Sequence, residues 1–145
     1  MNGVKVFVDT NVLVYAYEAS AGSKHDVAKN LMIELWNKGG ALLSIQVLQE
    51  FYVSVTRKIS HPISPASAKE IVKDLLTWDV VVMDGPSVLK ATELEQDDHI
   101  SFWDALIVAA AQKAGATEIL SEDFTHGRDF AGVTIRDPFP PTPRA

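Results

Sequence analysis

Two kinds of apolar pattern alternate along the chain. Short runs of β-branched and aromatic residues are typical of buried strands, whereas apolar residues spaced three and four apart are typical of helices that bury one stripe. Runs of the first kind predict five strands. These strands fall at residues 4–8, 41–44, 79–83, 118–120 and 133–135.

Helical patterns fill the intervals between the predicted strands. The clearest stripe has apolar residues at i, i+3, i+4, i+7 and i+8; it runs from Ala28 to Trp36 and ends at Gly39. Strands that alternate with helices predict the α/β class, with a parallel sheet and helices on both faces. Other helices are predicted at about residues 10–17, 45–58, 68–76, 86–96 and 102–114.

Length and composition are those of one globular domain, with 145 residues of which 47% are apolar and 22% charged. We expect this domain to span residues 1–137, and the proline-rich tail, residues 138–145, to be extended or frayed. No apolar stretch reaches the roughly 18–20 residues that cross a bilayer, and the N-terminal residues lack the zones of a signal peptide. A cytoplasmic protein is therefore expected.

Cysteine content and charge narrow the chemistry. The chain has no cysteine, which excludes disulfides, thiol nucleophiles and thiolate metal sites, so oxygen or nitrogen must hold any metal. The formal net charge of −6 argues against broad adhesion to nucleic acid, which needs many Lys and Arg contacts with phosphates. It leaves open an enzyme that meets a phosphodiester through metal ions held by clustered acids.

Two acids follow predicted strands. Asp9 comes directly after the first strand, and Asp123 lies shortly after the fourth. Ligands of parallel α/β sheets bind beyond the carboxyl ends of the strands, so both acids lie where a site is expected. Each also has a purely structural interpretation, Asp9 as a helix N-cap and Asp123 as a turn residue.

Asp104 is the one charged residue in the apolar run 102–111. An ionised carboxylate in apolar surroundings costs several kcal/mol unless it is paired, hydrogen-bonded or bound to a metal. Ser101 completes an S-x-x-D pattern that would give Asp104 a capping role instead. Because two aromatic residues precede Asp104 and no polar residue follows before Gln112, a functional site is favoured.

Periodicity does not select Glu50. It lies opposite the apolar stripe of its predicted helix, on a face expected to be solvated. The histidines are scattered, without the i, i+4 spacing of a helical metal pair, and are expected at the surface; His126, near Asp123, is the one closest to a candidate acid. Candidate phosphate contacts are Arg57, Lys58 and Arg128, although an exposed basic residue is more often simply solvated.

Four motifs occur in the order found in PIN domains, and together they resemble the VapC branch, the ribonuclease toxins of type II toxin–antitoxin modules. The resemblance covers nearly the whole chain. It implies a three-layer α/β/α sandwich with a central, mostly parallel sheet of four to five short strands. The motifs are VFVDTN at 6–11, SIQVLQEFY at 44–52, SFWDALI at 101–107 and LSEDF at 120–124.

The same resemblance implies a site and partners. The function it implies is endoribonuclease activity dependent on Mg²⁺ or Mn²⁺, in a homodimer that a cognate antitoxin protein inhibits. In our hypothesis the metal ligands are Asp9, Asp104 and Asp123, and Glu50 orients the attacking water. The role of Glu122 is left open. The implied site consists of an acidic quartet, Asp9, Glu50, Asp104 and Asp123, with polar support from Thr10, Asn11 and Ser121.

Two alternatives remain at this stage. A haloacid-dehalogenase-like phosphatase also has an Asp after its first strand, but that family needs a second Asp two residues later, where this chain has Asn11. The other alternative is a non-catalytic protein- or RNA-binding module with a PIN fold. Cation binding that depends on the carboxylates would oppose that second alternative.

Overall fold

A six-stranded sheet forms the centre of the protein, with the strand order β3-β2-β1-β4-β6-β5. The computed structural model describes residues 3–141. All neighbouring strands are parallel except β5 and β6, which are antiparallel. The strands are β1 Val6–Val8, β2 Ala41–Ser44, β3 Asp79–Val81, β4 Glu118–Leu120, β5 Asp129–Phe130 and β6 Val133–Arg136.

The five predicted strands are confirmed, but the expected total of four to five strands was too low. The additional strand, β5, has two residues, which is too short to leave an alternating pattern in the sequence. It forms a hairpin with β6 through Ala131 and Gly132, whose φ angles are 52° and 95°. Positive φ at both central residues is what a type I′ two-residue hairpin turn requires. In addition, β1 begins later and β3 ends earlier than predicted.

Every predicted helix is present. A 3₁₀ turn, Ala19–Ala21, precedes the second helix, and a π-helical turn, Ser54–Lys58, continues the third. The sequence pattern indicated neither turn. The helices are α1 Thr10–Ala16, α2 Ser23–Lys38, α3 Ile45–Val53, α4 Pro65–Leu75, α5 Gly85–Asp98 and α6 Phe102–Lys113.

Side-chain caps fix the starts of three helices near the site. Asp9 accepts a hydrogen bond from the Thr10 N–H, and Ser44 accepts one from the Val47 N–H. Ser101 accepts from the Asp104 N–H at 3.1 Å, as its predicted N-cap role requires. Each such cap stabilises a helix by about 1 kcal/mol.

The strand order places the helices on two faces. The chain advances from β1 to β2 to β3 and then returns past β1 to β4. Because crossovers between parallel strands are right-handed, α1–α4 cover one face, and α5 and α6 cover the other. The packing agrees, since α1 contacts α2 and α3 while α5 contacts α6. The expected three-layer α/β/α sandwich is therefore confirmed, with Phe7, Leu43 and Ile119 buried in its centre.

The tail follows β6 without a further helix or strand as far as residue 141. Phe139 is buried, and its ring lies edge-on to Tyr15 with centroids 5.2 Å apart, so this part of the tail is packed rather than frayed. Residues 142–145 of the predicted tail lie outside the described residues. The domain limits at 137 and 138 stay a prediction. Among the helices of residues 3–141, none is long and apolar enough to cross a membrane.

Candidate active site

The candidate site lies where β1 and β4 run side by side. From β1 the chain proceeds to β2 and β3 on one side, whereas from β4 it proceeds to β6 and β5 on the other side. Open α/β sheets bind ligands where the strand order switches in this way. Asp9 follows β1 and Ser121 follows β4, so parallel pairing brings the two residues together. The Asp9 N–H donates to the Leu120 carbonyl at 3.0 Å, which continues the pairing of β1 with β4 beyond the carboxyl end of β1.

Asp9 is the buried acid of the site, with 4% of its surface exposed. One carboxylate oxygen accepts from the Thr10 N–H at 2.8 Å, and the other accepts from the Ser121 hydroxyl at 2.7 Å. Burial nevertheless raises the pKa of Asp9 to about 7, and the charges of Asp123 and Glu50 add to the rise. The capping role considered from the sequence is therefore real, and it coexists with a strongly perturbed acid.

Asn11 links the two loops that carry the acids. Its Nδ2 lies 3.1 Å from the Asp123 carboxylate, 3.3 Å from the Ser121 hydroxyl and 3.4 Å from Asp9. Its Oδ1 accepts from the Glu122 N–H at 3.2 Å, which fixes the orientation of the amide. The Asp123 N–H in turn donates to the Ser121 hydroxyl at 3.1 Å. Asn11 and Ser121, expected as polar support, thus hold Asp9 and Asp123 near each other.

Glu50 reaches the site from α3. The Thr10 hydroxyl donates to one of its carboxylate oxygens at 2.6 Å, and the Gln46 amide lies 3.4 Å from the other. Glu50 is exposed, as the helical wheel predicted. The solvated face of α3 is therefore also the face directed towards Thr10, and exposure at this position does not argue against a functional role.

Asp104 lies in the first turn of α6 and is half-buried. Desolvation is the main cause that raises its pKa, and repulsion by Asp123 and Glu50 contributes. Trp103 beside it is 65% exposed, so this turn lies at the surface rather than in the apolar core. Asp104 is therefore isolated from other charges only along the sequence. In the fold its charge interacts with those of Asp123 and Glu50.

The donor chemistry of this cluster fits a hard divalent cation. Carboxylate oxygens are the ligands that Mg²⁺ and Mn²⁺ prefer, and in the absence of a cation Asp9 and Asp104 are each repelled by Glu50 and Asp123. Within residues 3–141, no three acidic or histidine side chains lie close enough, as they stand, to ligate one ion together. The Asp9 carboxylate is buried, whereas Glu50 and Asp123 are exposed, with one hydrogen bond to Glu50 from Thr10 and one to Asp123 from Asn11.

Sequence reasoning missed a group of side chains that holds the loop after β4. Glu122 accepts a hydrogen bond from the Tyr15 hydroxyl, and its second oxygen lies 2.8 Å from the Lys24 ammonium. The ammonium also lies 5.2 Å from the centre of the Tyr15 ring. Tyr15 follows Asn11 by four residues on α1, a spacing that puts both on one face, but no local signal identifies Lys24. We call Tyr15, Lys24 and Glu122 the brace.

An open cleft of about 690 Å³ borders two acids of the quartet, whereas Asp9 and Asp104 are not among its lining residues. Glu50 and Asp123 line it together with Lys58, one of the three candidate phosphate contacts. Arg57 is not among its lining residues. The full lining is Thr10, Asn11, Val14, Tyr15, Glu18, Gln49, Glu50, Val53, Ser54, Lys58, Ile59, Ser60 and Asp123.

Arg128 and His126 are engaged elsewhere. The Arg128 guanidinium donates to the Asp98 carbonyl at 2.6 Å and stacks over the Phe130 ring at 4.5 Å. His126 is exposed, and its Nδ1 accepts from the Asp137 N–H at 3.1 Å. Both contacts tie the loop around β5 to its neighbours, which is a structural role.

The family profile described as the PIN domain matches residues 6–130. The chain belongs to the PIN domain family. The matched segment runs from the start of β1 to the end of β5 and includes all four acids of the proposed quartet. A search of the curated proteins finds no match.

Three solved structures show how this PIN domain compares with others. VapC20 of Mycobacterium tuberculosis, described as a toxin that cleaves the sarcin-ricin loop, is 23% identical with a TM-score of 0.61, over 82% of this chain and 92% of that chain. A toxin–antitoxin complex from Klebsiella pneumoniae is 20% identical with a TM-score of 0.65, over 93% of this chain and 98% of that chain. DNA-bound VapBC from Salmonella typhimurium is 16% identical with a TM-score of 0.64, with the same coverage of 93% and 98%. At these identities, the likeness establishes the fold.

Proposed function

We propose that this PIN domain is an endoribonuclease dependent on Mg²⁺ or Mn²⁺, and that it acts as the toxin of a type II toxin–antitoxin module. The observation that carries the proposal is the hydrogen-bonded group that joins Asp9, Asn11, Ser121 and Asp123 at the carboxyl ends of β1 and β4. This group has the oxygen donors for a divalent cation, and an open cleft leads to it. VapC20, one of the similar structures, is described as a toxin that cleaves the sarcin-ricin loop.

Each acid has its own task in this proposal. A bound divalent cation would lower the pKa of a water and neutralise charge on the phosphate. Asp9, Asp104 and Asp123 are the residues that would hold it. Glu50, steadied by the Thr10 hydroxyl, orients the attacking water. Ser121 and Asn11 keep Asp9 and Asp123 in place, which reduces the reorganisation needed during the reaction.

The proposed partners follow from the same family branch. The structure from Klebsiella pneumoniae is a toxin–antitoxin complex, and the structure from Salmonella typhimurium is VapBC bound to DNA. We expect this chain to bind a cognate antitoxin protein and to form a homodimer. Size-exclusion chromatography with light scattering measures the second expectation.

RNA cleavage by the purified chain, free of any antitoxin, tests the function. With Mg²⁺ or Mn²⁺ the chain cleaves total RNA, and a chelator abolishes the cleavage. Asp104→Asn reduces the rate by at least about 100-fold, because it removes a ligand charge worth several kcal/mol in the transition state. Asp97→Asn, an exposed acid on α5, serves as the matched control and retains the wild-type rate.

Two results of this experiment contradict the proposal. Full Mg²⁺-dependent cleavage by Asp104→Asn would show that this carboxylate has no part in the reaction. Equal cleavage of a DNA strand of the same sequence would indicate a general nuclease rather than a ribonuclease.

A further inference from the structure

The π-helical turn at the end of α3 directs one basic residue into the cleft. The Ile59 N–H donates to the Ser54 carbonyl at 3.1 Å, which is the five-residue hydrogen bond that defines such a turn. Turns of this kind are rare and frequently mark functional sites. Here the turn ends with two consecutive basic residues, Arg57 and Lys58, and only Lys58 lines the cleft.

Helix geometry explains why Lys58 lies on the side of Glu50. In a regular α-helix, eight residues turn the chain through two full turns plus about 80°. A π-helical turn winds less per residue, so the angle between Glu50 and Lys58 becomes smaller. In a regular α-helix Arg57 would lie only about 20° from Glu50, so the reduced winding moves Arg57 away from this side while it brings Lys58 onto it. Arg57 is not among the residues that line the cleft.

The charges in the cleft are unevenly divided. Glu18, Glu50 and Asp123 line it, and among its described lining residues Lys58 alone is basic. Within residues 3–141, Lys58 forms no ion pair, whereas Lys24 and Lys113 are both paired with acids. An exposed, unpaired ammonium at the edge of an acidic cleft is available to an anionic ligand.

Lys58 lies further along the helix than Glu50. Eight residues of helix place the Lys58 backbone about 12 Å along the axis from the Glu50 backbone, so the Lys58 side chain enters the cleft at a different point from the acids. A neighbouring phosphate of the same strand is within its reach. Phosphate contacts of this kind set the register of a nucleic acid without reading its bases.

We propose that Lys58 binds a backbone phosphate of the RNA next to the one that is cleaved, and so positions the strand along the cleft. This proposal rests on the proposed ribonuclease function and adds a positioning residue to it. In this role Lys58 acts on binding alone, because it enters the cleft about two helical turns away from Glu50.

The test measures RNA binding as a function of salt. A fluorescein-labelled, random-sequence 12-nucleotide RNA is titrated with the protein in Ca²⁺, with fluorescence anisotropy as the readout. For Lys58→Ala, affinity falls several-fold and the slope of log affinity against log salt decreases by about 0.7, the value for one lost phosphate contact on a single strand. Lys58→Arg restores the slope, and Arg57→Ala, the matched control, keeps it.

Kinetics and metal binding distinguish a positioning role from a structural one. In RNA cleavage, Lys58→Ala raises KM with little change in kcat, and its Mn²⁺ affinity equals that of the wild type. A wild-type salt slope in Lys58→Ala, or an equal loss in Arg57→Ala, would overturn the assignment of Lys58 while the wild-type chain still cleaves RNA. If the wild-type chain neither binds nor cleaves RNA, the ribonuclease function itself fails, and the role of Lys58 fails with it.

Discussion

At the scale of single residues, Asp9 affects the stability of the folded protein in two opposite ways. It caps α1 and anchors Ser121, which favours the folded state. Its carboxylate is also buried beside other acids, and this raises its pKa from 3.8 to about 7. The folded protein therefore holds this proton more tightly than the unfolded chain does. The contribution of Asp9 to stability is greatest below about pH 4 and is lost as the pH rises through 7.

This pKa shift predicts that Asp9→Asn stabilises the protein at pH 8 when no divalent cation is bound. The amide retains a capping oxygen and removes a charge whose burial costs about 4 kcal/mol at most. The difference in unfolding free energy between variant and wild type should be large at pH 8 and shrink by pH 5. Urea denaturation in a chelator measures it at both pH values. A variant less stable than the wild type at pH 8 would contradict the assignment of the shift to burial.

The residues of the site differed in how far the sequence could predict them. Asp9 and Asp104 stand out locally, one at the end of a strand and the other alone in an apolar run. Glu50 does not, because an exposed helix position looks the same in sequence whether it faces solvent or an open site. The bridging role of Asn11 depends on residues 110 and more positions away, so only the fold reveals it.

At the scale of elements, the loop after β4 is held from two sides. On one side, the Asn11 side chain of α1 accepts a hydrogen bond from the backbone N–H of Glu122. On the other side, Tyr15 and Lys24 donate to the Glu122 carboxylate. Both oxygens of Glu122 are engaged, which makes this acid an anchor of the loop rather than a metal ligand. The brace also lies against Phe139, so it connects the start of the tail to the loop that carries Asp123.

Disrupting the brace is expected to lower the unfolding free energy modestly and, separately, to weaken cation binding. Lys24→Met should lower the unfolding free energy by up to about 1 kcal/mol, because the ion pair is partly exposed, and should weaken Mn²⁺ binding several-fold by loosening the loop. Lys29→Met, an exposed position on the same helix, is the control. Thermal denaturation and calorimetry measure the two effects. Loss of all Mn²⁺ binding in Glu122→Gln would instead make Glu122 a ligand.

Elements with strong periodicity were predictable, and local irregularities were not. The apolar stripes identified the six helices, and five of the six strands follow from their β-branched and aromatic runs. Strand β5 has only two residues, and the π-turn adds no residue type that distinguishes it from a regular helix end. Both depend on backbone geometry that side-chain patterns do not encode.

At the scale of the whole molecule, the fold gathers acids from four distant segments. Asp9 and Asp123 come from the ends of adjacent strands, Glu50 from the second turn of α3, and Asp104 from the start of α6 on the opposite face of the sheet. Because β1, β2 and β4 are parallel, their carboxyl ends lie at the same end of the sheet, and α1 and α3 begin there. No pair of the four acids is close in sequence, so the site exists only in the folded chain.

The central claim is that these acids share one cation site, and calorimetric titration of Mn²⁺ tests it most directly. The wild-type chain, Asp9→Ala, Asp104→Ala and the control Asp97→Ala are titrated under identical conditions. The account predicts that the wild type and the control bind Mn²⁺ with equal affinity and that both site variants bind it more than tenfold more weakly. Wild-type affinity in both Asp9→Ala and Asp104→Ala would contradict the account.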